Sequence, residues 1–212
     1  MWIQLLARKT IESSGKSQRY NPGDWVDVGK HSALLWLSDG SAQIPDMSDS
    51  GFDLSGAGIL TDHKELLCQR LKEETKSLDI LEGAASLPFE KTILLDAALP
   101  LRTSLIPVGV SMLDVWDLAV PLMDYGTMAC HVGTDNEREA TRLVIRDLRV
   151  PVYDTRLMFV KRSSQTERLI DNWRNAQKTP LAFLRELYKI KPLILALPCT
   201  WTSGAPLPNQ ND

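Results

Sequence analysis

The stretch Val150-Pro151-Val152-Tyr153-Asp154-Thr155-Arg156-Leu157-Met158-Phe159-Val160-Lys161-Arg162-Ser163 decides the fold of this chain. Its apolar run over 152–160 predicts a strand, or two strands joined by a turn. A helix follows, because Ser164 with Glu167 three positions later forms a capping box, and apolar residues then recur at helical spacing to Trp173. A strand that leads directly into an amphipathic helix is typical of an α/β domain.

The alternation of strands and helices continues on both sides of this stretch. Short apolar runs bounded by turn residues are typical of buried strands, and polar caps mark the residues at which helices begin. Thr179 followed by Pro180, for example, is an N-cap with proline at the first helical position. The pattern predicts strands at 58–61, 79–81, 91–95, 118–122 and 192–198, and helices at 62–77, 111–116, 134–143 and from 180 until Pro192 ends the last one.

Residues 1–45 have a different pattern, which predicts a small β-rich interaction module. The turn Asn21-Pro22-Gly23-Asp24 combines the fixed φ of proline with a glycine that accepts a positive φ. A generic packing cap on the larger domain explains the same pattern, and the sequence leaves both readings open. The expected elements are a strand at 2–11, a hairpin loop at 12–20, a strand at 25–28, a helix at 30–37 and a strand at 41–44.

The polar segment 46–58 predicts a linker because it contains several serine, aspartate and glycine residues. We therefore place the α/β domain at 59–203. The residues at 204–212 form a tail that we expect to be frayed.

Composition excludes several classes of protein. Hydrophobic residues make up 43% of the 212 positions and charged residues 24%, which is typical of a folded globular chain. With a net charge of −3, the chain lacks the excess of basic residues that is typical of nucleic-acid-binding proteins. No apolar stretch is long enough to span a membrane. The three widely spaced cysteines predict neither a zinc site nor a disulfide framework, which favours a reducing compartment such as the cytoplasm.

Four segments of the chain follow one another over roughly 120 residues. They are Ile93-Leu94-Leu95-Asp96, Met112–Pro121, Tyr153–Phe159 with Trp173, and Leu197–Thr202. In this order they resemble the sugar-nucleotide glycosyltransferases of the type-A fold. That family has a buried strand ending in Asp-x-Asp, a helix followed by Asp-Val-Ala, a Tyr-Asn-Thr-Gly-Val-Met-x-Phe segment with a helix ending in Trp, and a late Leu-Pro-x-x-Trp segment.

The resemblance implies a reduced type-A domain with a mainly parallel sheet and a donor site near Asp96 and Asp154. These two are the candidate catalytic residues, Asp96 is also the candidate metal ligand, and Thr155 and Arg156 join Asp96 as candidate donor-binding residues. The sequence departs from the family at the residues that would bind the metal and the sugar. Ala98 replaces the second carboxylate of Asp-x-Asp. Arg156 replaces a glycine that lets the sugar approach the backbone, and Asp154 replaces an asparagine.

The first module resembles a small unit of bacteriophage structural proteins that carries Tyr-x-Pro-Gly-Asp-x-Val-x-Val and then a helix ending in Gly-x-Ala. The matching residues run from Tyr20 to Val28, with Gly40 and Ala42 after the helix. The likeness implies protein partners, such as the subunits of a virion, and a location in the host cytoplasm or the virion. Trp25, Trp36 and Arg162 are the candidate partner-binding residues. A homo-oligomer is compatible with this interpretation.

We carry two hypotheses for function. The first, which the altered residues favour, is a non-catalytic bacteriophage virion or assembly protein that uses a degenerate glycosyltransferase scaffold and needs no cofactor. The second is an active glycosyltransferase that uses a sugar nucleotide and a divalent cation. Asp114 and Asp117, which flank Trp116, are a further carboxylate pair, and the sequence favours a helix cap and a solvated helix end over acid–base chemistry.

Overall fold

The protein is a mixed α/β structure, described here by a computed structural model. The described residues are 2–13, 16–43, 54–61, 75–76, 87–96, 99, 105–124, 127–176 and 178–202. The strands are β1 Trp2–Leu5, β2 Lys9–Ser13, β3 Lys16–Tyr20, β4 Trp25–Asp27, β5 Ala42–Gln43, β6 Ala57–Thr61, β7 Thr75–Lys76, β8 Lys91–Leu95, β9 Leu118–Pro121, β10 Leu157–Lys161 and β11 Ile194–Leu197. The α-helices are α1 Lys30–Ser38, α2 Leu105–Met112, α3 Asp135–Ile145, α4 Ser164–Asn175 and α5 Pro180–Ile190, and 3₁₀ turns cover Ala129–His131 and Cys199–Trp201.

A six-stranded sheet with the order β11-β9-β10-β8-β6-β7 forms the centre of the described fold. The strands β7, β6 and β8 are parallel to one another, and β9 is parallel to β11. Only β10 runs antiparallel to both of its neighbours, β8 and β9, within this sheet. Five strands therefore share one direction, and their carboxyl ends meet at the same end of the sheet.

Both faces of the sheet are covered, which explains why its strands are apolar without interruption. In β8 and β10 every residue from Thr92 to Leu95 and from Leu157 to Val160 is buried. Alternate side chains enter different cores: Ile93 and Phe159 lie in one cluster, while Leu94 lies in the other. The sequence of a strand that is buried on both faces is a continuous run of apolar residues, and β8 and β10 show this pattern.

Helices α4 and α5 cover one face of the sheet. Each presents one apolar side to the core, and Trp173 of α4 packs edge-on against Phe183 of α5 with 5.6 Å between the ring centroids. Thr179 caps α5 by accepting a hydrogen bond from the backbone N–H of Ala182, and Pro180 occupies the first helical turn as predicted. Local sequence therefore specifies this layer well, because caps and helical periodicity both lie within a short stretch of chain.

Helix α2 and the first module cover the opposite face. All eight residues of α2 are buried, and the ring of Phe159 packs against Gly109, where an added Cβ would lie 2.3 Å from the ring. Only glycine allows this close approach. On its other side α2 packs against α1. The module therefore contributes to the same hydrophobic core as the α/β domain.

Within the module, β1 lies between β4 and β5 in an antiparallel sheet. Further contacts join the module to the rest of the chain. The indole N–H of Trp201 donates to the carbonyl of Ser38 at 2.8 Å, and the ring of His31 lies 4.8 Å from that of Trp116. The module thus packs on the larger domain, which agrees with the packing-cap alternative, while Trp25 and Asp27 of β4 stay exposed.

The structure corrects several sequence predictions in the first half of the chain. The predicted strand 2–11 is two strands, β1 and β2, and the expected loop at 12–20 contains β3, which pairs with β2 in a hairpin. Strand β6 begins at Ala57, one residue before the predicted strand 58–61, so the last two residues of the predicted linker belong to the sheet. Thr75 and Lys76 form β7 and not the end of a helix. The remainder of that predicted helix, most of the linker and the predicted strand at 79–81 lie outside the described residues.

Two helix predictions in the second half are also wrong in detail. The helix expected at 111–116 is α2, which ends at Met112 and is followed by a turn. Because α2 is apolar on every side, it gives no amphipathic signal from which its start could be read. The N-cap of α4 is Ser163, whose partner is Thr166, and not Ser164 with Glu167. No helix among the described residues has the length and apolar character needed to cross a bilayer.

Candidate functional site

The candidate site lies at the carboxyl end of the parallel strands, where open α/β sheets commonly bind ligands. Asp96 follows β8, Asp124 lies three residues after β9, and the segment Pro198–Thr202 follows β11. Because β10 runs the other way, the residues that precede it, Tyr153 to Arg156, reach the same end. Each of the four segments that carry the glycosyltransferase resemblance therefore contributes residues at this edge.

Backbone hydrogen bonds hold these segments together. The N–H of Asp96 donates to the carbonyl of Arg156 at 2.8 Å, and the N–H of Asp154 donates to the carbonyl of Pro121 at 2.7 Å. The N–H of Leu122 donates to the carbonyl of Leu197 at 2.9 Å. The positions of the acidic side chains are thus fixed by the sheet, and not by a loose loop.

Asp154 and Arg156 form the central ion pair of the site. Arg156 donates from Nε to Oδ1 of Asp154 at 2.9 Å and from Nη2 to Oδ2 at 2.6 Å, which is bidentate geometry. The backbone N–H of Arg156 also donates to Oδ1 at 3.1 Å. The Asp154 side chain is 4% exposed and that of Arg156 is 51% exposed. One side of the pair therefore faces the core and the other faces solvent.

The Asp154 carboxylate is charged in this setting. Burial alone would raise its pKa, but hydrogen bonds from the Arg156 guanidinium and the Thr202 hydroxyl outweigh burial and hold the pKa below its ordinary value. The same ion pair raises the pKa of Arg156. Both carboxylate oxygens of Asp154 are engaged with donors, so the group is a structural acceptor.

Two further carboxylates act on Arg156 from a distance. Asp96 and Asp124 are both exposed, and each contributes, after the larger effect of Asp154, to the raised pKa of Arg156. Three of the described carboxylates therefore act on a single guanidinium.

The described side chains at this edge do not fit the divalent cation that the glycosyltransferase resemblance implies. A hard cation requires clustered carboxylate oxygens that are free to coordinate it, and Asp154 already accepts from Arg156 and Thr202. No group of three His, Cys, Asp or Glu side chains in the described ranges could hold a metal ion. Ala98, which stands in the place of the second carboxylate, lies outside those ranges.

The structure brings together three of the predicted site residues and adds two. Asp96, Asp154 and Arg156 meet at one edge, and the half-buried Thr155 lies in the turn between the last two. Thr202 and Asp124 were not predicted. Asp124 could have been found because it follows strand β9 much as Asp96 follows β8, and Thr202 ends the quoted segment Leu197–Thr202.

The candidate partner-binding residues lie in different surroundings. Trp25 on β4 is 51% exposed, whereas Trp36 is partly buried in the core cluster, with the ammonium of Lys9 lying 5.3 Å from its ring centroid. Arg162 is exposed at the end of the sheet opposite to Arg156, and its backbone N–H donates to the carbonyl of Glu90. Trp25 and Arg162 therefore have the exposure that an interface anchor requires, whereas Trp36 is partly buried.

The acidic pair Asp114 and Asp117 has structural roles. The Asp114 carboxylate accepts hydrogen bonds from Lys30 of the module and, at 2.7 Å, from Lys91 at the start of β8. Oδ2 of Asp117 accepts from the backbone N–H of Leu193 at 2.8 Å and thereby fixes the start of β11. Both carboxylates are therefore engaged, Asp114 with two lysines and Asp117 with the backbone before β11, and neither forms the helix cap or the solvated helix end that we predicted.

Comparison of the chain with protein-family models, with curated proteins and with solved structures gives no match to any of them.

Proposed function

We propose that this chain is a non-catalytic interaction protein, of the kind that bacteriophages use in virions or in their assembly, built on a degenerate scaffold resembling the type-A glycosyltransferases. The observation that carries the proposal is the Asp154–Arg156 pair. The residue in the place of the sugar-facing glycine is an arginine, and its guanidinium neutralises a carboxylate that the donor site would need.

The electrostatics of the edge support the same reading. Asp96, Asp124 and Asp154 all act on the Arg156 guanidinium, and Asp154 already accepts hydrogen bonds from it on both carboxylate oxygens. A sugar nucleotide carries a diphosphate, and its cation needs carboxylate oxygens that are free to coordinate it. The engagement of Asp154 with Arg156 therefore disfavours the metal that the donor would need.

The first module supplies the interaction part of the proposal. Trp25 exposes half of its side chain on β4 while the opposite side of the module is buried against α2. Exposed tryptophans of this kind are frequent anchors in protein interfaces. The module therefore presents Trp25 outward while its other side packs on the domain, as a structural subunit would.

Calorimetry with UDP-, GDP- and TDP-sugars in the presence of Mn²⁺ tests the proposal. We expect no saturable heat for the wild-type chain. Arg156→Gly removes the guanidinium, and Arg149→Gly is its matched control, because Arg149 makes the same bidentate contact with Asp147 on an exposed surface. Metal-dependent binding of any donor by the wild-type chain at micromolar concentration would overturn the proposal.

The virion part of the proposal has its own test. Mass spectrometry of purified particles from the bacteriophage that encodes the gene should find this chain in stoichiometric amounts. Its absence from particles and from assembly intermediates would contradict that part, whatever the calorimetry shows.

An active glycosyltransferase is the second hypothesis. The observation in its favour is that Asp96, Asp124 and Asp154 gather at the carboxyl end of the sheet. If Arg156 leaves Asp154 when a donor binds, Arg156→Gly should strengthen donor binding and Arg149→Gly should not. We predict donor binding by Arg156→Gly only if the scaffold has kept its nucleotide pocket.

A further inference from the structure

The helix layer of α4 and α5 has a charge opposite to that of the whole chain. The segment 161–191, which contains both helices, has eight Lys or Arg residues against three Asp or Glu residues, so its net charge is +5. The whole chain has a net charge of −3. All eight basic residues are at least partly exposed. The layer is therefore a basic surface on an acidic protein, and such a surface attracts anions.

A groove of about 420 Å³ lies between α4 and α5. Arg168, Asn172 and Asn175 line it from α4, and because they are spaced four and three positions apart they share one face of the helix. Lys189 and Ile190 line it from the last turn of α5. A concave site of this volume fits a small ligand, whereas protein interfaces are larger.

Glu186 is the buried carboxylate of the groove and is 5% exposed. Its Oε2 accepts from Nδ2 of Asn172 at 2.8 Å, and its Oε1 accepts from Nζ of Lys189 at 2.6 Å. Burial alone would raise the pKa of Glu186, but these hydrogen bonds hold the pKa below its ordinary value. Glu186 is therefore charged and engaged on both oxygens, and it fixes Asn172 and Lys189 on the two walls of the groove.

Arg168 is the cation of the groove that helix packing does not explain. Arg174 and Lys189 lie in the last turns of their helices, where a cation complements the helix dipole. Arg168 lies in the second turn of α4, and its exposed side chain makes no hydrogen bond or ion pair with the residues that the structure describes. Asp171, three positions on, accepts from Arg174 at 3.4 Å. The Arg168 guanidinium therefore keeps its N–H donors available for a ligand.

We propose that this groove binds a phosphomonoester of a small polyol, such as a sugar phosphate. A phosphate dianion has enough terminal oxygens to accept from Arg168 and Lys189 together, whereas a carboxylate is satisfied by one guanidinium. The amide of Asn175 can donate to and accept from the hydroxyl groups of the ligand. None of these residues belongs to the edge that holds Asp154 and Arg156, so the proposal is independent of the function proposed above.

A titration of the isotopically labelled full chain, followed by its backbone amide chemical shifts, tests the groove. Glucose 6-phosphate is the probe, and glucose is the uncharged control. We expect saturable shifts that are confined to amides of α4 and α5 and need no added metal, and no shifts with glucose. The absence of a metal requirement distinguishes this binding from the metal-dependent donor binding that the calorimetry measures.

Arg168→Gln should weaken the binding of glucose 6-phosphate by about tenfold, because it removes charge-assisted hydrogen bonds. Glutamine is a good helix former, so the variant should stay folded, which circular dichroism checks. Arg142→Gln is the matched control. It removes the same charge from α3, where the Arg142 side chain is 59% exposed, and should leave the affinity unchanged. Equal losses in the two variants would mean attraction by net charge alone and would refute the groove.

Asn175→Ala tests the polyol part of the ligand without any change of charge. It should weaken the binding of glucose 6-phosphate by about threefold and leave the binding of inorganic phosphate unchanged, because only the sugar has hydroxyl groups for the amide. An equal loss for both probes would contradict that role.

Two further outcomes would overturn the proposal. The first is an absence of saturable shifts at millimolar concentrations of glucose 6-phosphate. The second is tighter binding of a polyglutamate peptide to the same amides, which would assign the basic layer to an acidic protein partner.

Discussion

At the amino end of β8, Lys91 and Lys30 bind Asp114, whereas Arg156 binds Asp154 at its carboxyl end. The two clusters use the same chemistry over different distances along the chain. Asp154 and Arg156 are two positions apart, while Asp114 is 84 positions from Lys30 and 23 from Lys91. The Asp154–Arg156 cluster can form as soon as its own turn folds. The Asp114 cluster requires the module to be in place, because the module contributes Lys30.

The clusters also differ in burial, which decides how much each contributes to stability. The Asp154 side chain is 4% exposed, and that of Asp114 is 36% exposed. An ion pair that is open to water on both sides contributes little, whereas removal of one partner from a buried pair leaves an uncompensated group. The Asp154–Arg156 cluster should therefore contribute more to stability than the Asp114 cluster. Four predictions test this difference.

Asp154→Ala should have the largest effect. It removes the acceptor for the Arg156 guanidinium, the Arg156 N–H and the Thr202 hydroxyl, and we expect a loss of about 2 kcal/mol in the free energy of unfolding, reduced because Arg156 is half in water. Urea denaturation measures it. The control is Asp147→Ala, which breaks an Asp-x-Arg pair of the same spacing that is fully exposed and should leave stability unchanged. Equal losses of unfolding free energy in both variants would show that burial does not determine the contribution of the pair.

Acidification should reproduce part of that loss in the wild-type chain. Because the pKa of folded Asp154 is below its ordinary value, its contribution is complete above the unfolded-state pKa of about 3.9 and is lost as the pH falls through the lower folded value. Urea midpoints measured from neutral to acid pH should show a steeper fall for the wild type than for Asp154→Asn. Identical slopes would mean that the ion pair does not contribute.

Trp201→Phe should have an intermediate effect, because it breaks a buried link between the two regions. The variant keeps the ring packing on Phe159 but loses the donor to the Ser38 carbonyl, which we expect to destabilise the fold by about 1 kcal/mol. Hydrogen exchange should show faster opening of α1 than of α5. Equal acceleration in both helices would indicate that this bond does not serve the module in particular.

The smallest effects should come from the amino-end cluster. Lys30→Ala should cost about 0.3 kcal/mol, because its side chain is 54% exposed. Lys91→Met should cost about 0.6 kcal/mol, because that side chain is 11% exposed but its partner Asp114 is 36% exposed and keeps Lys30. Thermal unfolding of both variants measures the difference. A larger loss for Lys30→Ala than for Lys91→Met would contradict the role of burial within this cluster.

The sequence predicted the elements whose signals are local. Strand β8 and the starts of α3 and α5 match because apolar runs and caps such as Thr134 and Thr179 lie within a few residues of what they determine. The cap of α4 was wrong by one residue, because Ser163 and Ser164 each have a suitable partner three positions on. The structure selects Ser163, since Thr166 also binds the carbonyl of Lys161 at the end of β10.

Features that depend on distant residues could not be predicted. The helix-cap reading of Asp114 misses its bonds to Lys30 and Lys91, because nothing near Asp114 in sequence indicates either lysine. The packing of α1 on α2 is equally non-local. At the candidate site, Asp96, Asp154 and Arg156 were found because a resemblance linked their segments. Thr202 was missed because its hydroxyl acts on Asp154 across 48 positions of chain.

The complete burial of α2 beneath α1 has a consequence for biosynthesis. Residues 2–43 leave the ribosome before α2, which begins about 60 residues later in the chain. Until then the apolar side of α1, including Leu34 and Leu37, has no helix to cover it. The nascent chain therefore offers a chaperone a transient binding surface that the finished protein conceals.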